Sequence, residues 1–304
     1  MQAFSFTRKL ALPKKRLAVL HFSGRQPERL LPRRPMRKAA AARSFAVVLF
    51  VLVFLTVGRS QTPFLTDDAD VTDKGKVHLE FVNEFDVLQT SLHPSLSQNT
   101  FVARFAIGVH KRIELGIDVP AIVIFNSRET LSRRSSGISD INAHIKIKLI
   151  DEHEGSRLPA FAVAFYTQFP TGKVSKSLGS GVTDYSLYGV VQKSLTKKTT
   201  LRANAGILFA GNTVFGIGGL RKINGRLFSG GVSVIREFTD RLSLGGEIVG
   251  VADSDFELGH GQLQTTLGGN YILNKKLTLD LGLVFGRFPA SPRAGAVIGI
   301  TIDP

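Results

Sequence analysis

Along most of this chain apolar and polar side chains take turns. From residue 75 the alternation has a period of two, which marks extended strands whose two faces meet different surroundings. In 76–87, Val77, Leu79, Phe81, Phe85 and Val87 fall on one side, and Lys76, His78, Glu80, Glu84 and Asp86 on the other. In 113–119, Ile113, Leu115, Ile117 and Val119 alternate with Glu114, Gly116 and Asp118. In 140–149, five apolar residues alternate with Asp140, Asn142, His144, Lys146 and Lys148. The same reading places strands at 100–110, 160–169, 184–194, 200–209, 227–238, 241–251, 262–273, 276–286 and 294–302, which makes twelve. Most run to about ten residues, the length a tilted strand needs to cross the hydrocarbon of a bilayer.

A soluble sandwich also alternates, so other features must separate it from a membrane barrel. The polar face carries full charges at successive positions, which a greasy sheet-to-sheet core would not accept. The apolar face is nearly free of charge, as lipid requires. Connections also alternate in length. Short ones fall at 111–112, 195–199, 239–240 and 274–275 and a middling one at 150–159; longer ones fall at 88–99, 120–139, 170–183, 210–226, 252–261 and 287–293. Outer-membrane barrels have short periplasmic turns, long external loops and an even strand count that returns both ends to the periplasm. The pattern therefore predicts an all-β fold, a transmembrane up-and-down antiparallel β-barrel of about 12 strands. Its place is the bacterial outer membrane, with both termini periplasmic.

The start of the chain reads differently. Residues 45–57 are thirteen uncharged, mostly apolar residues, too short for a transmembrane helix and right for a signal-peptide core. Arg37, Lys38 and Arg43 precede them, and Gly58 and Ser60 offer small residues for a cut after Ser60, with a cut after Gly58 the alternative. Residues 1–35 exceed an ordinary n-region, which points to translation starting at Met36. The expected organisation is a basic extension and signal peptide over 1–60, a periplasmic N-terminal segment over 61–74, and the barrel over 75–304. This division changes what the net charge of +15 means. Residues 1–60 hold 13 of the 39 Lys and Arg but one of the 24 acidic residues, leaving 26 basic against 23 acidic side chains. The basicity belongs to the leader, and no nucleic acid is expected as a partner.

Two features depart from the usual barrel. Trp is absent and Tyr numbers four, so interfacial girdles must be built from the 22 Phe, which lack a polar handle. The chain also ends Ile300-Thr-Ile-Asp-Pro304, without a terminal aromatic, and pairing must stop before Pro304.

Several runs resemble an outer-membrane family associated with the meta-pathway of phenol degradation. They are Pro63–Gly75 leading into Val77-His-Leu-Glu-Phe81, Arg112–Pro120, Gly137–Leu149, Phe169-Pro-Thr-Gly172 and Ser180–Leu187. The likeness covers about 63–300 and lies in strand and turn patterns. It implies an outer-membrane transporter of small solutes, aromatic or hydrophobic ones among them, and names no binding residues.

Candidate chemistry is sparse. Cysteine is absent, Gly172-Lys173 lacks the spacing of a phosphate loop, and the cluster at 216–219 reads as a loop. Asp67, Asp68, Asp70 and Asp73 lack EF-hand spacing and read as a solvated segment, a loose calcium site being the alternative. His78, His110 and His144 sit on the polar faces of separate strands, not at metal-ligand spacing. No catalytic constellation, cofactor or metal is expected, although an outer-membrane hydrolase with a Ser/His pair at the rim is a third functional class to test. What remains is the lumen, lined by parity with Glu80, Glu84, Asp86, Arg104, Glu114, Asp118, His144, Lys146, Lys148, Arg202 and Glu247. Such mixed charges either line a narrow polar path or pair across the bore and close it. The expected function is a channel for small solutes. The alternative is a closed structural or surface-binding barrel whose loop 120–139, with Arg128, Arg133 and Arg134, holds anions. Expected partners are outer-membrane lipid and lipopolysaccharide, the barrel-assembly machinery and a small-molecule solute.

Overall fold

A computed structural model describes residues 61–92, 95–127, 133–209, 226–253, 262–288 and 291–304. The leader, Arg128 and the 216–219 cluster lie outside the described residues. Thirteen strands form one antiparallel sheet that closes into a barrel of twelve staves. In chain order they are β1 (Val77–Val87), β2 (Ser97–His110), β3 (Ile113–Phe125), β4 (Arg134–Ile138), β5 (Ile141–Ile150), β6 (Ala160–Phe169) and β7 (Asp184–Thr196). There follow β8 (Thr199–Phe209), β9 (Arg226–Glu237), β10 (Leu242–Asp253), β11 (Gln262–Asn274), β12 (Leu277–Gly286) and β13 (Ala294–Ile302). Each stave pairs with its neighbours in sequence, and β1 closes the ring by pairing with both β2 and β13.

The predicted strands stand, with one correction. The expected loop 120–139 is mostly sheet, because β3 continues to Phe125 and β4 pairs back against Ala121–Phe125. β4 and β5 share a stave, since β3 pairs with β5 over Ile113–Asp118. Between them the register slips by one residue at Ser139–Asp140, where the Ser139 amide donates to the Pro120 carbonyl at 2.8 Å. Asp140, 1 % exposed, then gathers the returning loop. Its carboxylate accepts from the amides of Gly172 (2.9 Å) and Ser180 (2.6 Å), from the Ser180 hydroxyl (2.9 Å) and from the Gln168 amide group (3.1 Å). Three of the runs that resemble the phenol-pathway family meet at this one side chain.

The sheet is apolar outside and polar inside. On β10, Ile248 is 58 % exposed and its neighbour Glu247 2 %; on β12, Leu283 is 54 % exposed and Val284 1 %. In water each exposed aliphatic side chain would forfeit roughly 25 cal/mol per Å² of apolar area. Buried apolar residues, by contrast, form small clusters such as Val82, Val284 and Val297. A fold that spends its hydrophobic residues outward needs lipid around it. At the loop end the outward aromatics Phe85, Phe125, Phe169, Tyr185, Phe209, Phe228 and Phe285 all lie within three residues of a strand terminus. They form the Phe-rich girdle that the composition required. At the other end, short turns at 111–112, 197–198, 238–241 and 275–276 lie with the C-terminus, where the Asp303 amide donates to the Lys276 carbonyl at 3.0 Å. Pairing ends at Ile302, before Pro304.

The connection 151–159 at this rim is held by side chains. The Asp151 carboxylate accepts from Lys148 (2.8 Å) and Arg112 (3.1 Å), and Glu152 takes Lys193 and the Ser194 amide (2.9 Å). The Lys148 hydrogen bond holds the Asp151 carboxyl below its usual value. At Glu152, burial alone would raise the carboxyl, but hydrogen bonds from Lys193 and Ser194 together hold it low.

Candidate functional site: a lumen occupied by residues 61–74

Residues 61–74 do not stand clear of the barrel but pack against its inner wall. Thr62, Phe64, Thr66, Asp68 and Ala69 are each 4 % exposed or less. Backbone groups of an irregular segment must find partners once they leave water, and here the wall supplies them. Glu247 on β10 accepts from the consecutive amides of Leu65 (3.0 Å) and Thr66 (2.5 Å). Glu114 on β3 accepts from the Thr72 amide (2.7 Å) and hydroxyl (2.6 Å). Asn270 on β11 donates to the Thr62 carbonyl, and the Thr66 hydroxyl donates to Ser233 at 2.6 Å.

The wall also makes room in shape. A methyl group added to Gly282 would lie 2.7 Å from Pro63 Cβ, at Gly268 2.7 Å from Pro63 Cγ, at Gly231 2.9 Å from Thr66 and at Gly299 3.0 Å from Thr62. At Gly108 it would strike the carbonyls of Thr72 and Asp73. Five strands thus give up a side chain where the segment lies. A segment merely passing by would not need that.

Charge completes the fit, and it corrects one expectation. Asp67 and Asp68 are buried against the wall's cations and not solvated, whereas Asp70 is ion-paired but half-exposed and Asp73 is exposed, as expected. Lys146 Nζ lies 3.0 Å from Asp67, 3.5 Å from Asp68 and 3.7 Å from Glu114. Lys148 reaches Asp70 at 2.9 Å, and Arg202 reaches Asp68 at 3.4 Å. Among the described residues no group of three or more His, Cys, Asp or Glu is placed to hold a metal ion.

All eleven candidate residues lie on the inner face, and most take part in this seat. Glu80, 2 % exposed, accepts from Arg104 (2.9 Å), the Thr62 hydroxyl (2.9 Å) and the Gln61 amide (3.0 Å), with His78 Nε2 at 3.3 Å. Asp118 stands opposite Arg104 across the β2–β3 register. His144 lies 3.5 Å from Glu114, and its ring fills the place where a side chain on Gly116 would be. Glu84 and Asp86 continue further along the inner face of β1 toward the loops. His110 is the exception to parity. It is exposed, because the β2–β3 register shifts between Gly108 and His110.

Two cavities lie along the bore among the described residues. A cavity of about 380 Å³ opens beside Lys76, Lys111 and Asp303 at the short-turn end. A smaller one of about 90 Å³ lies beside Tyr188, Val251 and Gln262, toward the loops. Leu65, Asp67 and Tyr166 line both, so the segment stands between them. Carboxylates predominate among the most deeply buried charges. Of those charged side chains among the described residues, twelve are carboxylates and two, Lys146 and Arg202, are cations, while Arg104 and Lys148 on the inner face stay part-exposed.

Neither a family model nor a curated protein matches the sequence. Solved structures do. An outer-membrane channel from Pseudomonas putida F1 superposes with a TM-score of 0.59 at 12 % identity, over 78 % of this chain and 98 % of that one. The NanC porin gives a TM-score of 0.51 at 7 % identity, over 75 % of this chain and 98 % of its own. This chain has the fold of an outer-membrane channel. Identities this low speak for the architecture alone.

Proposed function

We propose that the protein is an outer-membrane channel for small polar solutes, preferring cations, whose resting lumen is narrowed by its own residues 61–74. The observation that carries this reading is the segment's seat: a strip with no helix or strand of its own, ion-paired to Lys146, Lys148 and Arg202, between two cavities in an acid-rich bore. A wall carrying excess carboxylate concentrates cations and repels anions. The acidic inner face supports polar solutes over the aromatic or hydrophobic ones that the family resemblance implied. With the short turns, the start of β1 and the end of β13 at one end, the periplasmic side is taken to be that end. Lipid then covers the outer belt, lipopolysaccharide meets the exposed Arg134 and Arg226 beyond the aromatic girdle, and the barrel-assembly machinery inserts the chain.

The density of ion pairs favours one competing reading, a closed structural barrel with no transport. Gly282→Val decides between the two, because it crowds Pro63 without altering any charge. In planar bilayers it is expected to raise conductance several-fold over the unaltered protein, with a reversal potential of cation sign in a salt gradient. A folded, heat-modifiable variant with unchanged conductance would leave the structural reading standing. An anion-selective reversal potential would overturn the preference proposed for the bore.

A further inference from the structure

The leader and the seated segment meet at one atom, the main-chain nitrogen of Gln61. That nitrogen lies 3.0 Å from Oε1 of Glu80, a carboxylate 2 % exposed. A carboxylate offers about four acceptor directions, and Glu80 uses them in pairs. Oε1 faces Gln61 and His78, and Oε2 faces the Thr62 hydroxyl and Arg104. Gly58 and Ser60 offer small residues for a signal-peptidase cut immediately before Gln61, a cut after Gly58 being the alternative. An ordinary amide at this position would donate one hydrogen. A chain end there would present three donors and a positive charge beside Glu80, which already faces Arg104 at 2.9 Å, in a lumen lined by buried carboxylates.

We propose that export leaves Gln61 as the mature N-terminus and that its α-ammonium group is bound inside the barrel by Glu80. The inference rests on the seated-segment reading of the lumen. In the cut, water adds its hydroxyl to the Ser60 carbonyl carbon, the Ser60–Gln61 bond breaks, and the released amine takes up a proton. The ammonium then anchors the leading end of the segment, as Glu247 anchors its middle and Glu114 its far end. Capture of a terminal amine by fixed acceptors is a known recognition mode, and here both partners belong to one chain. The geometry also protects the new terminus. An N-terminal glutamine can close to a neutral lactam when its amine attacks its own side-chain carbonyl carbon and expels ammonia. Here the Gln61 side-chain amide is turned to Asp67 at 2.5 Å, and an amine protonated against Glu80 is not a nucleophile.

The test uses the mature protein extracted from outer membranes. Intact mass and N-terminal sequencing are expected to give a chain that begins at Gln61 and retains its amine. An amine-directed reagent applied to the folded protein at neutral pH should modify Gln61 slowly, and rapidly after denaturation. Folded Glu80→Gln should be modified about tenfold faster than the unaltered protein, and Glu80→Asp should fall between them. Should Glu80→Gln fail to fold, a variant with two alanines inserted between Ser60 and Gln61 replaces it; its displaced amine should be modified at the rate of an exposed one. A mature chain beginning at Arg59, a mass lighter by one ammonia, or equal modification rates in the folded and denatured protein would each overturn the proposal. None of these readouts depends on conductance, so the anchor and the channel fail separately.

Discussion

Lys146 shows how much of the lumen depends on single side chains. It is 1 % exposed and has three carboxylates within 4 Å. Desolvating an ammonium is costly and is offset only when partners are close and well placed. Removing the cation while leaving its partners is therefore worse than never having built the cluster. Lys146→Met is expected to destabilise the folded protein by about 3 kcal/mol, seen as a lower midpoint in urea unfolding from lipid vesicles. It should also raise conductance, because Asp67 and Asp68 lose a tether. A midpoint equal to that of the unaltered protein would mean that solvent, not Lys146, balances those aspartates. The residue itself was legible in the sequence as an inward-facing charge. Its partners were not, because a run of aspartates before the first strand has no periodicity to say which surface it will meet. The signal that could have found them is complementarity: three aspartates in 67–70, against an inner wall offering Lys146, Lys148 and Arg202.

Among the elements, those with unlike faces announced themselves and those with like faces did not. β5 alternates cleanly and appears within one residue of its expected bounds. β3 was expected to stop at Val119, yet it runs to Phe125. Its last turn of pleat, Ala121 to Phe125, is apolar on both faces, because Ile122 and Ile124 pack inward on Leu178 of the returning loop. Alternation vanishes where a loop folds in and supplies its own apolar cover. The 151–159 connection carries the opposite lesson, since polar contacts alone hold it. Asp151 and Glu152 both have carboxyls held below their usual values. Their contribution is thus present at neutral pH, above the unfolded value near 4, and is lost as pH falls through the lower folded values. Amide hydrogen exchange at Ser194, which donates to Glu152, is expected to lose protection on acidification below about pH 4, while strand amides in β7 keep theirs. Protection at Ser194 that is flat across that range would show that the turn is held by its backbone.

For the whole molecule, one rule governs stability and function together: the same strand must satisfy lipid on one side and a charged bore on the other. Neighbouring positions on β10 make the point. Ile248 is 58 % exposed at the middle of its strand, and Glu247 beside it is 2 % exposed and holds the seated segment. A soluble barrel would tolerate a charge at the exposed position and resist one at the buried position. Here both preferences are inverted. Ile248→Arg places a guanidinium toward hydrocarbon and is expected to cost about 2–4 kcal/mol near the bilayer midplane, falling toward the interfaces. The measurement is reversible unfolding in lipid vesicles, with an arginine at Phe285, close to the loop-end rim, as the shallow comparison. A charge tolerated equally at both depths would mean that no hydrocarbon belt surrounds these strands. The alternation read from the sequence would then describe a different kind of barrel. A large loss at Ile248 and a small one at Phe285 would fix the membrane to this belt.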